Sequence, residues 1–373
     1  MVTLLGFFCI LTNVLCLSIY CPDLVGPAPA WLYYSFAVGL WLYSTMDNID
    51  GKQARRTGTS SGLGELFDHG IDSLNCTLAS LCETASIGLG PTRAGVFTSL
   101  IPCLPMFFST WETYHTHTLY LGYFNGPTEG LIIACMLHIF SGIYGPGIWS
   151  LPISSLPIPP ALLALLPQDF STRDLWVPGL TATFLIAHLP FCIHNVITAR
   201  RRQNLPILPV FFEWTPMLIF TSAIGAWVYS PSSRIMKDNH LVLLCLTLSF
   251  VFGRMTTKII LAHLTHQPFP YWTVLLAPLV GGAMITNLEA VMGPGWGWSW
   301  EPLSVATALL GDGDVIGKAE LFYLRAYFVF ALVAYARWAV LVINSICAYL
   351  DINCLTIKGV SPGQETTITK KKV

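Results

Sequence analysis

Four aspartates, Asp47, Asp50, Asp68 and Asp72, stand in two pairs spaced i, i+3 and i, i+4. On a helix each pair shares one face, with axial separations of about 4.5 and 6 Å. Four carboxylates held this close cannot all ionise at neutral pH without a compensating positive charge, because like charges raise one another's pKa. An all-oxygen set of this kind suits one or two hard divalent cations such as Mg²⁺ or Mn²⁺. Between the pairs, Thr57-Gly58-Thr59-Ser60-Ser61-Gly62 is turn-forming, so the chain can reverse and the carboxylates can converge from two antiparallel helices. Eight of the 26 residues from Asp47 to Asp72 are charged in a chain where charged residues make up 10%. Carboxylates concentrated at a membrane boundary are costly unless paired or metal-bound, and a solvated acidic loop is the competing reading. Gly51 and Ala54 share the Asp47/Asp50 face, and Gly64 lies four residues before Asp68. Small residues there admit either a planar or phosphorylated ligand against the backbone or close helix packing.

The elements that must hold these residues are membrane helices. Of 373 residues 54% are hydrophobic and the mean hydropathy is +0.61, whereas a soluble chain of this length is roughly a quarter charged. Apolar windows of about 20 residues, the length that crosses a bilayer, fall near 3–21, 29–46, 73–90, 95–111, 130–149, 176–196, 207–229, 240–261, 271–292 and 322–350. The sequence therefore predicts an all-α polytopic integral membrane protein of about ten transmembrane helices, forming one domain over 1–373. The first window lacks the basic leader of a signal peptide and reads as a span. A net charge of −1 supplies no basic field for nucleic acid. The eleven cysteines form no CxxC pair or zinc-spaced cluster and read as small hydrophobes.

Basic residues set the orientation. With ten spans, Lys52, Arg55, Arg56, Arg200, Arg201, Arg202, Lys358, Lys370, Lys371 and Lys372 fall on one side, and Arg93, Arg173, Arg234, Lys237 and Lys318 on the other. Ten against five predicts cytosolic termini, a cytosolic 47–72 segment and a cytosolic tail over 351–373. The Pro- and Gly-rich connections 150–175 and 293–321 then face the lumen and carry no recognisable chemistry.

Written out, Asp47-x2-Asp50-Gly51-x2-Ala54-Arg55-x8-Gly64-x3-Asp68-x3-Asp72 resembles the signature of the CDP-alcohol phosphotransferase family, with eight fixed positions at every expected spacing. The surrounding DNIDGKQARRTGTSSGLGELFDHGIDSLN is similar to the eukaryotic choline- and ethanolaminephosphotransferase branch, and a looser resemblance extends over most of the chain, including WETYHTHTLYLGYFNGPTEG. The GKQARRT and ELFDHG context resembles the aminoalcohol branch more than the inositol- and glycerophosphate-using branches, which stay as lesser alternatives. The resemblance implies a homodimeric enzyme that moves phosphocholine or phosphoethanolamine from CDP-choline or CDP-ethanolamine to diacylglycerol. Its products are CMP and phosphatidylcholine or phosphatidylethanolamine, the last step of the Kennedy pathway. Carried over position by position, Asp47, Asp50, Asp68 and Asp72 would hold two Mg²⁺ or Mn²⁺ ions, Arg55 would contact the diphosphate, and Gly51, Ala54 and Gly64 would pack near the cytidine. His69 would match the base for the diacylglycerol hydroxyl, with Asp72 its rival. These roles agree with the chemistry, since an alcohol nucleophile needs positioning, charge neutralisation and a base within reach.

Other features carry weaker expectations. Trp111, Tyr114 and Glu129, near Glu112, His115 and His117, are candidates to hold a quaternary ammonium, although aromatics are enriched at every membrane interface. Glu83, Glu213, Arg254, Lys258 and Glu289 either line a lipid-entry route or pair with one another. His188, His194, His263 and His266 remain unassigned. Lys370-Lys371-Lys372-Val373 matches a dilysine retrieval signal, which implies the endoplasmic reticulum membrane, with the Golgi as the alternative. Family members carry an amphipathic segment and a Pro-Asn pair before the run Val2–Phe7, and this sequence begins at Met1 where that pair would end. The competing functions are a truncated inactive paralogue and a multi-span transporter with a carboxylate cation site. Transporters spread such residues over several interrupted helices, unlike the single register here.

Overall fold

The computed structural model describes residues 2–117, 129–155, 167, 170–292 and 315–356. Twelve α-helices are described: α1 (Val2–Tyr20), α2 (Ala30–Thr57), α3 (Gly62–Ile87), α4 (Arg93–Leu100), α5 (Cys103–Thr116), α6 (Leu131–Tyr144), α7 (Trp176–Ala182), α8 (Leu189–Arg202), α9 (Thr215–Val228), α10 (Leu241–Leu264), α11 (Leu276–Met292) and α12 (Val315–Leu350). No β-strand occurs among the described residues. Each of the ten apolar windows falls on helix, with α4 and α5 sharing one window and α7 and α8 another. Six stretches are long and apolar enough to cross a membrane: Val2–Tyr20, Arg93–Thr116, Thr172–Arg202, Leu208–Val228, Leu241–Leu264 and Gly317–Leu350. Two more, Leu131–Tyr144 and Leu276–Asn287, are apolar but shorter. α2 and α3 are long but more polar, since each carries part of the charged 47–72 segment. The protein is thus an all-α polytopic membrane protein, with six crossings satisfying length and composition. The tail lysines, residues 118–128 and the 293–314 connection lie outside the described residues.

Local chemistry explains how the helices carrying the site end and begin. Gly58 closes α2 in the left-handed region (φ 67°), a conformation glycine adopts without steric cost. Thr59 N–H then bonds back to the Ala54 carbonyl at 2.9 Å, which satisfies an end-of-helix acceptor. Three residues later Ser61 caps α3 by accepting from Gly64 N–H at 3.3 Å. Arg55 and Arg56 in the last turn of α2 and Glu65 in the first turn of α3 each complement the helix dipole.

Packing then fixes these two helices in the bundle. α1 lies against α2 at two glycines: a Cβ on Gly6 would stand 3.1 Å from Met46 Cβ, and one on Gly39 would stand 2.2 Å from Asn13 Nδ2. Asn13 is buried and donates to the Ser35 carbonyl at 3.0 Å. α3 packs on α10 through Leu74 against Gly253, with Thr256 Oγ1 donating to Ser73 Oγ at 2.7 Å and Ser249 to the Leu74 carbonyl at 3.1 Å. Small residues and hydroxyl bridges of this kind hold membrane helices together where apolar burial alone gives no drive. α6 covers α2 and α3, anchored by Ser141 to the Ser86 carbonyl at 2.7 Å. A single π-helical turn, Thr183–His188, links α7 to α8 ahead of Pro190, where the proline removes a backbone donor.

Candidate active site

The polar ends of α2 and α3 bring the predicted carboxylates together. Asp47 and Asp50 of α2 and Asp68 of α3 each offer an oxygen, and these oxygens lie within 4.8 Å of one another. Asp72, one turn along α3, accepts from the hydroxyl of Tyr43 and lies close enough to repel both Asp47 and Asp68. Asp50 accepts from Thr3 Oγ1 at 2.5 Å. The set is therefore three aspartates gathered at one point, with Asp72 beside them and steadied by a tyrosine.

The electrostatics are those of a site short of positive charge. Asp47 and Asp68 lie beyond the apolar windows, yet burial, followed by repulsion from Asp72, pushes Asp47 up from 3.8 to about 7 and Asp68 from 3.8 to about 9. Each carboxylate therefore holds its proton more tightly than a free aspartate does. One oxygen on each, Asp47 Oδ1 and Asp68 Oδ1, is buried with no hydrogen-bond partner. Buried acceptors left orphaned are destabilising, and a hard divalent cation would satisfy both while removing the repulsion. The donor set fits such an ion.

The surroundings leave room for a ligand. A Cβ on Gly51 would meet only Arg55 Nη1, at 3.5 Å, and one on Gly64 only Ser61 Oγ, at 3.9 Å. Among the described residues neither position meets a neighbouring helix within 4 Å, so the surface beside the aspartates is open there. Arg55 is exposed with its guanidinium over Gly51, and Ala54 is half-buried on the same helix. His69 is half-buried, and its Nδ1 lies 3.2 Å from the Glu65 carbonyl oxygen. Because a carbonyl only accepts, Nδ1 carries the proton and Nε2 keeps its lone pair. Burial lowers the His69 pKa below its ordinary value, favouring the neutral ring.

Several sequence candidates are placed elsewhere. Trp111 is fully buried among Phe108, Trp214 and His115, and its Nε1 donates to Glu213 Oε2 at 2.8 Å. His115 Nε2 shares that oxygen at 2.6 Å, and Asn195 donates to Glu112 Oε1 at 2.8 Å. Tyr114 donates to the Gln267 carbonyl at 2.9 Å, while Glu129 is exposed beyond residues outside the described set. Trp111 is thus a core residue with no face free for an ammonium. Glu213 is committed to Trp111 and His115 rather than to Arg254 or Lys258. His188 bonds to the Pro105 carbonyl at 3.1 Å. Thr3 and Tyr43 were not singled out from the sequence. Tyr43 precedes Asp47 by four residues and so shares its helical face, a readable signal. Thr3 reaches Asp50 only through the α1/α2 crossing.

An all-helical membrane protein with a cation-type carboxylate cluster at the polar ends of two consecutive helices defines a narrow class, and comparison with known proteins places the chain within it. The family described as CDP-alcohol phosphatidyltransferase matches residues 1–145. The chain is 34% identical over 362 residues to choline/ethanolaminephosphotransferase 2 of Arabidopsis thaliana, covering 96% of this chain and 86% of the relative. It is 31% identical over 366 residues to choline/ethanolaminephosphotransferase 1 of Saccharomyces cerevisiae, covering 96% and 86%. It is also 37% identical over 291 residues to cholinephosphotransferase 1 of the same yeast, covering 72% and 69%. The chain belongs to the CDP-alcohol phosphatidyltransferase family.

Proposed function

We propose that this protein transfers phosphocholine or phosphoethanolamine from CDP-choline or CDP-ethanolamine to the hydroxyl of diacylglycerol, releasing CMP and forming phosphatidylcholine or phosphatidylethanolamine. The observation that carries the reading is the convergence of Asp47, Asp50 and Asp68, two of them with orphaned buried oxygens, in a chain similar to named choline/ethanolaminephosphotransferases over nearly its whole length.

Asp47, Asp50, Asp68 and Asp72 would hold Mg²⁺ or Mn²⁺, two ions on this reading, which when bound neutralise charge on the diphosphate oxygens. Arg55, a permanent cation beside Gly51, binds the diphosphate. Gly51, Ala54 and Gly64 leave the backbone open to the cytidine. His69 Nε2 takes the proton of the diacylglycerol hydroxyl as its oxygen bonds to the phosphorus bearing the amino-alcohol, and the bond from that phosphorus to the CMP oxygen breaks. The Glu65 carbonyl fixes the tautomer that leaves Nε2 free for this role, and Asp72, held by Tyr43, is the alternative base. The reading extends to a homodimer in the endoplasmic reticulum membrane with the site facing the cytosol.

The test is CMP release by purified chain in nanodiscs supplied with diacylglycerol, Mg²⁺ or Mn²⁺ and either CDP-alcohol, alongside Asp68→Ala and His69→Ala. Diacylglycerol-dependent release that is lost in both variants is expected, and the preferred donor names the product. Folded wild-type protein with no release from either donor would overturn the assignment.

A further inference from the structure

Arg254 and Lys258 stand one turn apart on α10, about 15 and 9 Å along the helix from its end at Leu264. Both are half-buried, and neither has a carboxylate at salt-bridge distance among the described residues. Their depth is that of the aspartate cluster: the next residues of α10, Thr256 and Thr257, touch Ser73 and Gly70 of α3. Yet the cations do not compensate the aspartates. Arg254 turns to α12, where Nη1 donates to the Ala334 carbonyl at 3.4 Å and the guanidinium lies 5.5 Å over the Trp338 ring. Its Nε is buried with no acceptor. Lys258 Nζ donates to the Trp272 carbonyl at 2.7 Å. Arg337, exposed, lies three residues beyond Ala334 on α12. Arg254 and Lys258 are therefore met, among the described residues, by backbone carbonyls and one aromatic face, with Arg337 a third positive charge further along α12.

Cations at membrane depth are retained where an anion or a polar path answers them. Like charges one turn apart repel, and a carbonyl satisfies one proton without neutralising charge. We propose that this seam binds an acidic phospholipid, whose phosphodiester accepts from the guanidinium of Arg254 and from Lys258 while an acyl chain lies along α12. A guanidinium whose planar donors meet no carboxylate suits phosphate oxygens. The preference for an acidic over a zwitterionic lipid follows from the same residues. Among the described residues no carboxylate stands at salt-bridge distance from Arg254 or Lys258 to receive an ammonium, and the Trp338 face that could take one already carries Arg254.

The experiment is native mass spectrometry of the full chain released from nanodiscs of phosphatidylcholine mixed with phosphatidylserine, reading which lipid stays bound. Wild type should retain phosphatidylserine several-fold over phosphatidylcholine. The double variant R254Q/K258Q should lose that excess, the charge-preserving pair R254K/K258R should keep most of it, and R93Q, remote from the seam, should match wild type. Retention of phosphatidylcholine equal to phosphatidylserine in wild type, or an undiminished phosphatidylserine excess in folded R254Q/K258Q, would overturn the proposal. A fall in the excess for R93Q as large as for the double variant would also overturn it, since the effect would then be one of general surface charge. Because the readout is binding, it stands or falls independently of phosphotransfer.

Discussion

Replacing Tyr43 with phenylalanine isolates one atom of the site. The hydroxyl is buried with its residue 7% exposed and donates to Asp72 Oδ1, while the ring would be kept. A hydrogen bond to a charged group contributes about 1.5–3 kcal/mol, which at about 1.4 kcal/mol per decade is roughly 10–100-fold in an equilibrium constant. Partners that orient metal-binding carboxylates have effects of about the same size, 10–100-fold on metal affinity. Tyr43→Phe should therefore weaken Mn²⁺ binding by roughly 10–100-fold, read as free Mn²⁺ by electron paramagnetic resonance and as the Mn²⁺ concentration giving half-maximal CMP release. Tyr33→Phe is the matched control. That hydroxyl accepts from Ala28 N–H at 3.1 Å, away from the aspartates, and its loss should leave the Mn²⁺ curve in place. A folded Tyr43→Phe protein with wild-type Mn²⁺ affinity would refute the reasoning that Asp72 belongs to the cation site through Tyr43.

Four further outcomes follow from the same geometry. In chelator, folded Asp47 and Asp68 titrate near 7 and 9 against 3.8 unfolded. The folded state then binds more protons, so stability should fall as pH rises from about 4 to about 9, and saturating Mg²⁺ should flatten that slope in thermal unfolding scans. Gly39→Ala places a Cβ 2.2 Å from Asn13 Nδ2 and should cost about 1–3 kcal/mol by displacing a buried, bonded amide. Gly51→Val, with nothing but Arg55 nearby, should leave the unfolding transition unchanged and raise the KM for the CDP-alcohol. His69→Gln should lower kcat by roughly 10²–10⁴-fold with little change in donor affinity, measured under saturating Mg²⁺.

Much of the fold was legible because lipid leaves the chain few choices: backbone groups must bond within helices, so apolar length alone located every helical window. The 47–72 site was legible for a related reason. Its ligands come from two consecutive helices joined by four residues, 58–61, so register along the chain is nearly register in space. What escaped the sequence depends on contacts between distant segments. Thr3 meets Asp50 across 47 residues, and that pairing exists only because Gly6 and Gly39 let α1 close on α2. Glu213 could be paired with several cations on paper, but the structure gives it to Trp111 and His115. Trp111 looked interfacial by position, whereas the crossing of α5 with α8 and α10 buries it completely. The breaks at Pro102 and at the π-helical turn before Pro190 divide two apolar windows that hydropathy reads as continuous.

The central claim is that the carboxylate site moves a phosphoryl group between two substrates, and it is tested most directly by following both products at once. Purified chain in nanodiscs is given CDP-choline labelled in the choline, or labelled CDP-ethanolamine, with diacylglycerol and Mn²⁺, and CMP and labelled lipid are quantified together. The account predicts that the two appear in equal amounts, depend on diacylglycerol, and vanish together in Asp68→Asn. CMP without labelled lipid would mean hydrolysis rather than transfer, and neither product from folded wild-type protein would contradict the account outright.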